Sequence, residues 1–117
     1  MNRFIRSIGA ALLLLSLSGC ASYISGGPLI RPGEPTGIIE VVNRSRLPVT
    51  SVLISNCNHA TYGLNRLPQG MAIQSGRSYR FTVSAGCWDV LAGRAGAEAR
   101  QRMQVRAGGG VRYTVHD

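Results

Sequence analysis

RSYRFTVSAGCWDVLAG, residues 77–93, is the stretch whose reading decides the fold. Tyr79, Phe81 and Val83 fall on one parity and Arg80, Thr82 and Ser84 on the other. That period of two is the mark of a half-buried strand, since a helix would repeat its apolar residues every three or four positions. Gly86 then signals a tight turn, after which Trp88, Val90 and Ala92 alternate with Asp89 and Leu91. A hairpin is therefore expected here, with Trp88 in the core on the parity of Val90 and Ala92.

The same period continues in both directions. Residues 38–42 are nearly all β-branched, which predicts a strand buried on both faces or one opening the sheet. A polar turn at 43–48 leads into a second strand at 49–55, with Val52 and Ile54 sharing a face. Residues 97–105 are ambiguous: their Ala, Glu, Arg, Gln and Met content favours helix by propensity, whereas Met103 and Val105 alternate with Arg102 and Gln104 as a strand would. Gly108, Gly109 and Gly110 precede Val111, Tyr113 and Val115, so the segment is expected to pair with 111–115 as a hairpin around a glycine turn. Six or seven short strands and no repeat point to an all-β fold, a small antiparallel β-sandwich.

The pattern stops before residue 37. Gly26, Gly27, Pro28, Pro32, Gly33 and Pro35 crowd one stretch, and residues 20–36 are expected to be a flexible tether of up to roughly 50 Å when fully extended. Ahead of it, Arg3 and Arg6 precede an apolar run at 8–17 that ends in Leu17, Ser18, Gly19 and Cys20. About ten apolar residues suit a secretory signal and fall short of the roughly 20 that cross a bilayer. In these residues the chain resembles bacterial lipoproteins. The resemblance implies that residues 1–19 are a signal peptide and that Cys20 becomes an acylated, palmitate-bearing N-terminus. Two or three acyl chains anchor stably, at about 0.8 kcal/mol per buried methylene. Ala21 after the cysteine is compatible with the outer membrane of a Gram-negative envelope, the domain facing the periplasm.

Without residues 1–19 the chain keeps 98 of its 117 residues, enough for one small domain, at 37–117. A core of that size is marginal. With Cys20 acylated, Cys57 and Cys87 are the remaining pair for an intramolecular disulfide in an oxidising compartment, two buried thiols being the alternative. All thirteen basic residues are arginine, and eleven of them stand against five acids after processing, a net +6. Such a charge suits anionic neighbours, which in an envelope are lipid headgroups, lipopolysaccharide phosphates or acidic polymers rather than nucleic acid.

Residues 43–92 also resemble a group of small bacterial exported and lipoprotein domains. The motifs are Ile54, Ser55, Asn56 and Cys57; Gly63, Leu64, Asn65, Arg66 and Leu67; Ile73, Gln74, Ser75 and Gly76; and Gly86, Cys87, Trp88, Asp89 and Val90. Ser75 stands where such domains often have proline. The resemblance implies a disulfide-stapled β-sandwich and brings no activity with it.

Catalytic constellations are weak. Cys57, Asn58 and His59 would need a free thiolate, and a disulfide removes it. Cys57, His59, Cys87 and His116 lack the short paired spacings of a zinc site, so neither metal nor cofactor is expected. Asp89 has no partner acid. The expected role is a lipid-anchored structural or interaction module, not an enzyme, whose partner is an envelope protein or anionic envelope component. The alternative is a binder of a small ligand or anionic glycan through an arginine-bearing face and the loop holding His59, Tyr62, Asn65 and Arg66.

Overall fold

A computed structural model describes residues 27–58, 63–94 and 97–117. It is all-β: β1 (Thr36–Asn43), β2 (Ser51–Asn56), β3 (Ser78–Ser84), β4 (Gly86–Gly93), β5 (Ala99–Val105) and β6 (Gly110–Val115). They form two three-stranded sheets, ordered β3-β1-β6 and β2-β4-β5. Residues 1–26, including the expected signal segment and Cys20, lie outside the described residues.

Alternation places the core as expected. Ile39, Val41, Phe81, Val83 and Tyr113 from the first sheet meet Val52, Ile54, Trp88, Val90, Met103 and Val105 from the second. Residues 97–105 supply β5, so alternation outweighs propensity: Met103 and Val105 are worth more buried in a sheet than their neighbours gain from a helix. β1 is buried on one face only, its odd-numbered Ile39 and Val41 facing in while Ile38, Glu40 and Val42 stay half-exposed.

The pairing differs from the sequence expectation. β3 and β4 do not form a hairpin, because the chain passes from one sheet to the other at Ala85, with Gly86 at φ +144°. β5 and β6 do not pair either. β6 crosses to the first sheet and runs parallel to β1, Ile39 opposite Val111 and Val41 opposite Tyr113, so the sandwich is not purely antiparallel. The remaining ladders, β1 with β3, β2 with β4 and β4 with β5, are antiparallel.

Residues 27–35 are docked rather than free. The Ser84 N–H donates to the Leu29 carbonyl at 2.8 Å, the Ala85 N–H to that of Pro35 at 2.8 Å, and the Arg31 N–H to Ser84 Oγ at 2.7 Å. Leu29 packs against the core, and the Arg31 guanidinium stands 5.5 Å from the Trp88 ring centroid. Glycine and proline do bar this strap from helix and ladder, as the sequence suggests, but its carbonyls and one leucine suffice to hold it against the β3–β4 corner.

Candidate functional site

Of the side chains expected at a contact loop, His59 and Tyr62 lie outside the described residues, and Asn65 and Arg66 have backbone partners. Both sit along the edge of β2 that β4 leaves unpaired. Asn65 Oδ1 accepts the Val52 N–H at 2.9 Å and its amide donates to the Thr50 carbonyl at 3.0 Å. The Arg66 N–H donates to the Val52 carbonyl at 2.7 Å, and its guanidinium donates from Nε and Nη2 to the Ile54 carbonyl and from Nη2 to that of Gly27 at 2.7 Å. Burial lowers the Arg66 pKa below the usual guanidinium value. These two residues therefore close a sheet edge and pin the strap; an open edge would otherwise offer unpaired N–H and C=O groups to another chain.

Cys57 and Cys87 are joined in a disulfide, their Cα atoms 5.6 Å apart, which fastens the end of β2 to the start of β4. The Cys57 sulfur is thus not a free thiolate. His116 lies at the opposite end of the sandwich, beside Asp117 and Leu47. Among the described residues no group of three or more His, Cys, Asp or Glu side chains could hold a metal ion.

The acids sit on the outer faces between arginines. Glu40, central in the first sheet, accepts from Arg80 Nε at 3.0 Å and from Arg112 Nε at 2.9 Å, and these bonds hold its carboxyl below the usual range against an opposing effect of burial. Asp89 is buried, with a side-chain exposure of 7%, and accepts from Arg102 through both oxygens, at 3.0 and 3.2 Å. That bidentate bond lowers its pKa in the same way. Trp88 is fully buried, its indole N–H donating to the Ser84 carbonyl at 2.8 Å, so it serves the core.

The chain matches no family model and no curated protein. The site must therefore be read from its own geometry. Besides Arg66, which donates only to backbone carbonyls, four guanidiniums, those of Arg44, Arg77, Arg94 and Arg106, have no acid partner among the described residues. Arg44, Arg77 and Arg94 fall at one end of the sandwich, where β1 and β4 finish and β3 begins; Arg106 falls at the other. The sequence shows a basic chain but not this placement, because the three are up to fifty positions apart and come from the ends of strands in two different sheets.

Proposed function

We propose that the protein is a lipid-anchored lipoprotein of the bacterial cell envelope that works by contact rather than by turnover. The Leu17-Ser18-Gly19-Cys20 box carries this reading, with Cys20 as the acylated residue and the domain on the periplasmic side of an outer membrane. The docked strap supports it. From Cys20 to Gly27 seven residue steps span at most about 25 Å, so the sandwich stands close to its anchor. The non-catalytic part rests on the same geometry: Cys57 is spent in the disulfide, and Asp89 is taken by Arg102. An envelope protein or an anionic envelope component is the proposed partner, nucleic acid being foreign to that compartment.

Expression of the full chain tests this. Mass spectrometry should find an acylated N-terminal Cys20 in the membrane fraction, and Cys20→Ser should leave uncleaved precursor without acyl chains. A soluble wild-type chain with an unmodified Cys20 would end the proposal.

A further inference from the structure

The end of the sandwich farthest from the strap holds a cleft of about 280 Å3. Leu47, Pro48, Val49 and Val115 give it an apolar lining, and Arg94 and Asp117 stand at its polar side. The β-ladder brings Arg77 next to this end, since the Asn43 N–H donates to the Arg77 carbonyl, and Arg44 follows directly, its N–H donating to the Val115 carbonyl at 2.8 Å. A carboxylate already occupies the rim. Asp117 Oδ1 accepts the Arg46 backbone N–H at 2.9 Å, and Oδ2 lies 3.4 Å from the Arg46 Nε. That pair is highly exposed, with 88% of the Arg46 side chain accessible, so an outside carboxylate could displace Asp117 at little cost. Of the three guanidiniums at this end without an acid partner, Arg94 lines the cleft, while Arg44 and Arg77 belong to the adjoining end of β1 and β3.

We propose that this cleft and its arginine rim bind a carboxylate-bearing glycan of the envelope. An apolar floor suits the C–H face of a sugar ring, while Arg44, Arg46, Arg77 and Arg94 meet the carboxylates along the strand. The partner's position rests on the anchored reading given above. The choice of a glycan rests on complementarity, guanidinium forks for planar carboxylates and an apolar floor for a ring face, and not on distance from the membrane, since the strap begins at Gly27 beside Ile54, midway along β2.

The test uses the full-length protein in vesicles of zwitterionic phosphatidylcholine, with soluble polygalacturonate as the probe and its methyl ester as the uncharged control. Floating vesicles should carry the polyuronate and not the ester. Replacing the three exposed guanidiniums together (Arg44→Gln, Arg77→Gln, Arg94→Gln) should weaken retention roughly tenfold or more, from exposed charge pairs acting in concert. Arg106→Gln, at the strap end, should leave it unchanged, and Asp117→Asn should strengthen it by removing the internal competitor. Equal retention by the triple variant with an unchanged melting temperature, or equal binding of the ester, would overturn the proposal. So would capture by phosphatidylglycerol vesicles that the triple variant abolishes while polyuronate is ignored, since that assigns the rim to lipid. A protein that fails to float with vesicles counts against the anchor instead, and polyuronate binding in detergent, compared with the triple variant, then decides the cleft by itself.

Discussion

Asn43 is fully buried at the end of β1, and every polar atom of its side chain is used. Its amide donates to the Leu47 and Ile73 carbonyls, each at 2.8 Å, and its Oδ1 accepts from the Ser45 N–H and hydroxyl. Ser84 plays the matching part at the other end, its carbonyl accepting from the Trp88 indole and its hydroxyl from the Arg31 N–H, while its own N–H donates to the Leu29 carbonyl. Neither role is legible in the sequence, where both residues look like ordinary turn formers, because their partners lie up to fifty-five positions away. Asp89 is different: its parity in the sequence points it to solvent, to a turn cap or to an arginine, and of these the arginine pair forms, with the carboxylate buried. Its pKa is depressed from the ordinary 3.8 chiefly by the Arg102 hydrogen bonds. A depressed carboxyl stabilises the fold fully above the unfolded value and loses that contribution as pH falls through the folded one. Asp89→Asn should therefore cost about 1 kcal/mol at pH 7, the exposed Arg102 screening the pair. The gap to wild type should begin to narrow below about pH 4 and vanish as the pH falls through the depressed pKa. Urea unfolding at a series of falling pH values measures it, and a gap that does not narrow at all with acidification would deny the ion pair its part.

At the scale of elements, periodicity reveals where strands lie and, except in β1, whose β-branched run does not alternate in the sequence although it is buried on one face only, which way their residues face. It does not reveal which sheet a strand joins. Both sheets have one inward face, so Phe81 and Trp88 alternate identically whether β3 and β4 pair or stack. The deciding features are corners: Ala85 and Gly86 between β3 and β4, and residues 106–109 between β5 and β6. At the second corner Gly37 of β1 packs so closely that an added Cβ would lie 2.7 Å from the Arg106 carbonyl and 2.9 Å from that of Gly109. Those obstacles are backbone, and they close the parallel approach of β6 to β1. Gly37→Ala should thus cost about 1–3 kcal/mol through crowding. Gly76→Ala is the useful contrast, since open space surrounds that site and only its φ of +81° is unfavourable, at about 1 kcal/mol. Denaturant midpoints for the two variants should differ in that order; a Gly37→Ala protein as stable as wild type would mean the corner is looser than its geometry.

For the whole molecule, address and fold are separable. The residues proposed as the anchor precede Gly27, while stability resides in a small core closed by the strap on the β2–β3 side and by the Tyr113 hydroxyl donating to the Ala99 carbonyl on the β5–β6 side. Such a domain has roughly 0.05–0.15 kcal/mol per residue to lose. The Cys57–Cys87 disulfide bridges thirty positions, and in the chain-entropy account a loop of that length contributes about 3.5 kcal/mol. This is a large fraction of the total, so reduction should raise the unfolded population several hundredfold. Dithiothreitol, or Cys57→Ser with Cys87→Ser, should shift the urea midpoint sharply downward while leaving acylation and membrane fractionation as they are. If the reduced protein also left the membrane fraction, the fold would be needed for anchoring, and the separation of the two would be wrong. Retention at the membrane with lost polyuronate binding is the pattern expected of a domain whose folded end, and not its anchor, makes the contact.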